Sequence, residues 1–152
     1  MLIKWVLAAL HLLAFGFAIA AVLARGRALR RLRTDDPRSF RDVFVVDNIW
    51  GVSAGILLVT GAFRAFGGLE KGSYYYLHQP LFHLKMAAFI AMLALEVVPM
   101  YALIRWRIAF KKNQPINTAL SRRFARISHL EALLMVIMVI AATGMARGIL
   151  LS

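Results

Sequence analysis

Cysteine is absent from this 152-residue chain. That excludes disulfides, thiolate metal sites, iron–sulfur clusters and covalent haem attachment through a Cys-x-x-Cys-His motif. Acidic residues are scarce: 7 Asp and Glu stand against 19 Lys and Arg, for a net charge of +12. No phosphate-binding loop, glycine-rich nucleotide fingerprint or Ser-His-Asp order occurs, which removes the nucleotide-binding and serine-hydrolase readings that such motifs support. No longer-period repeat is evident.

What the chain has is apolar length. Hydrophobic residues make up 61% of it, and the mean hydropathy is +0.70; a soluble domain is nearer half apolar. Four apolar segments separated by charged stretches predict an all-α, antiparallel four-helix membrane bundle, a single domain over 1–152, with helices near 3–25, 43–66, 79–104 and 124–147. Trp5–Ala24 carries no charge and is long enough to cross the hydrocarbon. Only Lys4 precedes it and arginines crowd behind it, the reverse of a signal peptide's charge order, so it reads as a retained helix. The basic residues gather in two connectors: Arg25, Arg27, Arg30, Arg31, Arg33, Arg38 and Arg41 in the first, and Arg105, Arg107, Lys111, Lys112, Arg122, Arg123 and Arg126 in the second. This pattern reads as membrane orientation, not nucleic-acid binding. Both connectors are expected in the cytoplasm of a bacterial inner membrane, touching anionic headgroups of the lipid bilayer, with both termini outside. Gly51 and Gly55 form a GxxxG pair expected to pack against another helix. Tyr74, Tyr75 and Tyr76 suit an interfacial aromatic belt.

The polar residues inside these segments carry the functional reading. Charged groups in a membrane helix cost roughly 2.5–3.5 kcal/mol each on insertion scales and usually face a protein interior. Counting depth at about 1.5 Å per residue puts His11, His83 and Lys85 in the outer half, with Arg64 and Arg147 at the rim. The same count puts Asp47, Glu96, His129 and Glu131 in the inner half, with Glu96/His129 and Glu131/Arg126 as pairs matched by depth. His11 reads either as a buried histidine bonded to a neighbouring helix or as an axial ligand of b-type haem, with small neighbours at Ala8, Gly16 and Ala18. Lys85 could pair with a carboxylate, snorkel to headgroups or move protons. Arg64 and Arg147 could meet haem propionates or lipid phosphates. Glu131 and Asp47 lie early in their helices, where the dipole favours acids. A transition-metal site from His11, His83 and Met92 has no tight motif spacing, and Met135, Met138 and Met145 read as packing.

Residues 9–31 (ALHLLAFGFAIAAVLARGRALRR), 47–86 and 99–107 (PMYALIRWR) resemble an uncharacterised family of bacterial four-helix predicted membrane proteins. More distantly, the chain is similar to the HemJ type of protoporphyrinogen oxidase and the CopD type of copper-resistance membrane protein. His11 stands where HemJ proteins carry their first-helix haem histidine, His83-Leu84-Lys85 matches their His-x-Lys motif, and Arg126 and Glu131 approximate the opening of their fourth helix. Glu96 stands about where those proteins have a further histidine. The resemblance implies haem b as cofactor, with His11 as axial iron ligand and Lys85 as the catalytic residue; beside it, His83 is the candidate second ligand, and Arg64 and Trp50 are the further candidate cofactor-binding residues. The expected role is binding b-type haem or porphyrin in a HemJ-like redox role; as an enzyme the protein would be a haem-dependent oxidoreductase removing electrons and protons from a porphyrin-like substrate. The alternatives are a non-catalytic membrane subunit or scaffold, as a homo-oligomer or in a membrane complex, and a CopD-like permease for copper or a small solute.

Overall fold

The structure is a computed structural model that describes residues 1–66 and 78–149. Tyr74, Tyr75 and Tyr76 lie outside the described residues. Among the described residues four long helices follow one another: α1 (Leu2–Arg30), α2 (Pro37–Phe66), α3 (Pro80–Lys111) and α4 (Ser121–Ala146). Their boundaries follow from local chemistry. Pro37 and Pro80 open α2 and α3, where a missing N–H costs nothing and the fixed φ already suits a helix. Asp36 accepts the backbone N–H of Arg38 at 2.9 Å and so caps α2. In the same connector, hydrogen bonding from Arg33 holds the exposed Asp35 carboxyl below its ordinary pKa. α3 and α4 both end in a left-handed residue, Asn113 (φ 52°) and Gly148 (φ 70°). The next N–H then turns back to the helix: Gln114 N to Ala109 O at 2.9 Å, and Ile149 N to Gly144 O at 3.0 Å.

Every helix runs beyond the apolar window that the sequence suggests. Proline and aspartate confine the first connector to residues 31–36, so the stretch expected to be a loop from residue 25 is helix as far as Arg30. That extension brings Arg25 into the bundle.

α1 packs along α2 and α4, and α3 packs along α4, all antiparallel. α2 and α3 meet mainly through long side chains at the connector end, where Phe40 meets Trp106 edge-on (centroids 6.4 Å apart) and Phe44 meets Phe110 (5.7 Å). Three apolar layers stack along the bundle. Leu81, Ala141 and Met145 lie toward the terminal end. Ala18, Val22, Trp50, Met92 and Met135 fill the middle. Leu29, Phe40, Leu103, Trp106 and Phe124 close the connector end. Only 22% to 28% of each helix's most apolar window is buried in the protein. The remaining apolar surface suits lipid rather than water, and all four helices are long and apolar enough to cross a membrane.

Close helix contact does not occur at the expected glycines. Gly51 and Gly55 are exposed, and a Cβ at either would meet nothing within 4 Å. The intimate contacts are at Gly26, where a Cβ would fall 2.5 Å from His129 Cε1, and at Gly144, where it would fall 2.8 Å from Leu81 Cδ1. The GxxxG spacing permits close approach but does not choose which face of α2 turns inward.

Candidate functional site

Between the middle and connector layers lies the one buried cation among the described residues, Arg25, with no exposed surface. Helical spacing puts it there: Ala14, Ala18, Ala21, Val22, Arg25 and Leu29 are the buried stripe of α1, with small residues that let neighbouring helices approach. A guanidinium has five N–H donors in a planar fork, and each finds an acceptor on another helix. Nε donates to Ser128 Oγ at 3.0 Å. Nη1 donates to Asp47 Oδ1 at 2.9 Å and to Glu96 Oε1 at 2.8 Å. Nη2 donates to Glu96 Oε2 at 2.7 Å and to Glu131 Oε2 at 2.6 Å. Glu96 on α3 is thus gripped in a two-pronged pair, the strongest geometry for this kind of bond. The Ser128 hydroxyl donates its own hydrogen bond to Phe124 O at 3.1 Å. The guanidinium carbon lies 5.5 Å from the centre of the buried Trp50 ring, which adds a cation–π contact.

A second cation backs the first. Arg107 Nη2 donates to Asp47 Oδ2 at 2.6 Å, and its Nη1 donates to Asn48 Oδ1 at 2.6 Å. Asp47 therefore bridges two arginines. Exposure grades outward: the side chains of Arg25 and Glu131 are fully buried, Asp47 is 16% exposed, Glu96 19% and Arg107 27%. The centre approaches the surface only on the α2–α3 side. Among the described residues, Glu131 Oε1 is buried and finds no hydrogen-bond partner.

The pairings matched by depth are replaced. Glu96 and Glu131 both bind Arg25, while His129 bonds Ala125 O through Nδ1 and Arg126 is exposed. Arg25 was masked in the sequence by its position, directly after Ala24 and two residues before Arg27. The available signal was the helical stripe running through it, together with three acids on other helices that need a cation.

The residues expected at the outer site are distributed differently. His11 on α1 faces α2, where Nδ1 lies 2.8 Å from Thr60 Oγ1, and its Cε1 is 3.4 Å from where a Gly61 Cβ would be. Arg64 follows Thr60 by one turn and is half-buried. Lys85 is half-buried and His83 exposed on α3, a helix without a close backbone approach to α1. Trp50 stands ten residues from Thr60, about 15 Å along α2, and belongs to the Arg25 centre. Met92 is in the core beside Trp50 and Ala18. Among the described residues, no three His, Asp or Glu side chains are grouped to hold a metal ion.

No curated protein and no solved structure matches this chain. Residues 3–150 match the family described as "Predicted membrane protein (DUF2214)". With four bilayer-length helices converging on one buried arginine, the chain belongs to that family of predicted membrane proteins.

Proposed function

We propose that this multi-pass membrane protein works through its Arg25 centre, which takes up and releases one proton between Glu96 and Glu131. The observation that carries this reading is the charge count in a buried place: three carboxylates surround two guanidinium groups, and Glu131 Oε1 is left without a donor. The two glutamates accept from the same Nη2, so their oxygens lie within about 5 Å of each other, close enough for one carboxyl to hold a proton that the other attracts. A proton there cancels the excess charge and satisfies the orphaned oxygen. Arg25 fixes both carboxylates in place; Asp47 and Arg107 form the partly exposed edge through which the proton would pass. The test is infrared titration of the purified protein in lipid. A protonated-carboxyl stretch that disappears in Glu131→Gln is expected. Spectra identical in the two proteins across the titration would refute the reading.

A second reading places haem b or a porphyrin at His11, in a redox role. One observation favours it. His11 Nδ1 lies 2.8 Å from Thr60 Oγ1, which in turn lies 2.7 Å from Ile56 O, so this chain of bonds holds the imidazole in one orientation against α2. Metal-binding imidazoles are oriented by bonds of this kind. The donor set suits one axial imidazole, with Arg64 for a propionate, and bound haem would supply one-electron chemistry. A Soret band lost in His11→Ala is expected on this reading; colourless protein from haem-replete cells would dismiss it.

A further inference from the structure

The α1–α4 seam has a basic mouth and an apolar floor. Its register is set where Gly26 meets the His129 ring. Arg30 follows Gly26 by four residues and lies on the same side of α1; Arg126 and Arg122 precede His129 by three and seven and lie on the same side of α4. Three exposed guanidinium groups therefore flank the seam at the connector end. Among the described residues, none of the three is paired with a carboxylate. In the opposite direction along the seam, the same helical spacing brings up half-buried Leu23 on α1 and exposed Leu133 and Val136 on α4. Positive charge at the end of the apolar span, continuous with an apolar strip along it, has the polarity of one phospholipid molecule.

We propose that this seam is a specific site for an anionic glycerophospholipid, whose phosphate is bound by Arg30, Arg122 and Arg126 and whose acyl chains lie over Leu23, Leu133 and Val136. Charge complementarity selects the occupant: a zwitterionic lipid brings no net negative charge to three unpaired cations, and the apolar strip gives a free phosphate nothing to cover. The site differs from a diffuse basic surface because its three cations are placed by one helix–helix contact. It does not depend on proton exchange at Arg25.

The experiment uses full-length protein in detergent with phosphatidylglycerol, phosphatidylcholine or glycerol phosphate added, reading the thermal unfolding midpoint. Phosphatidylglycerol is expected to raise the midpoint well above the shift given by the other two. The exposed double substitution Arg30→Gln/Arg126→Gln is expected to remove more than half of that shift. Arg38→Gln/Arg41→Gln removes the same charge from exposed positions on α2 and is expected to keep it. Equal shifts with phosphatidylcholine, or an equal loss in the α2 variant, would overturn the proposal.

Discussion

Arg25 decides most of what the interior of this protein can do. Its desolvation is offset only because all five N–H groups are used and three carboxylates surround it. Removing one member of such a network is worse than never having built it, because the remaining charges stay buried and unpaired. Arg25→Met is therefore expected to destabilise the protein by about 3–5 kcal/mol. Adding Glu96→Gln and Glu131→Gln to that variant should recover part of the loss, since it removes the two carboxyl groups left without their guanidinium partner. Denaturant unfolding in mixed micelles measures both. If Arg25→Met alone is neutral, the centre does not hold the bundle together. Arg25→Lys is expected to fall between, because an ammonium has three donors and no planar fork for Glu96.

At the level of the elements, two glycines set how closely the helices approach. The Gly26 contact positions α1 against α4 one residue from Arg25, and Gly144 admits Leu81 of α3 against α4. In Gly26→Ala the new methyl group and the His129 ring compete for one space, at a cost of about 1–3 kcal/mol. His129→Ala in the same chain should cancel most of that cost, whereas the same second substitution beside Gly144→Ala should cancel none. Thermal unfolding of the wild type, the three single variants and the two double variants checks this, and additivity at Gly26 would contradict the contact. The helices themselves were legible from apolar length, and Pro37 and Pro80 mark two starts. Their full extent was not legible, because arginines at the end of a helix and in a loop look alike in sequence. α1 continues to Arg30 because its buried stripe goes on through Arg25 and Leu29 into layers supplied by the other helices.

For the whole molecule, the two connectors lie at one end and the described termini at the other. Arginine-rich connectors favour the cytoplasmic face. These 152 residues contain no cysteine, so single cysteines introduced into them report topology without background. Thr34→Cys and Asn117→Cys, both in exposed connector positions, are expected to resist a membrane-impermeant thiol reagent in intact cells and to react after permeabilisation. Labelling of both in intact cells would invert the orientation, and labelling of only one would contradict the antiparallel arrangement.

By itself the sequence determined the number of bilayer-length apolar helices, their membrane character and the gathering of basic residues toward one end of them. Each of these follows from composition along the chain and from the cost of placing polar groups in hydrocarbon. It also put Asp47, Glu96 and Glu131 at one depth, since depth is only a count of residues. Which group they serve was decided by tertiary structure. A partner in a bundle is set by the rotation of each helix about its axis and by which helices are neighbours, and the packing of other residues fixes both. Glycine at position 26 and small side chains along α1 turn Arg25 inward toward three acids. The same rotations leave Gly51 and Gly55 on the outside and set His11 against Thr60.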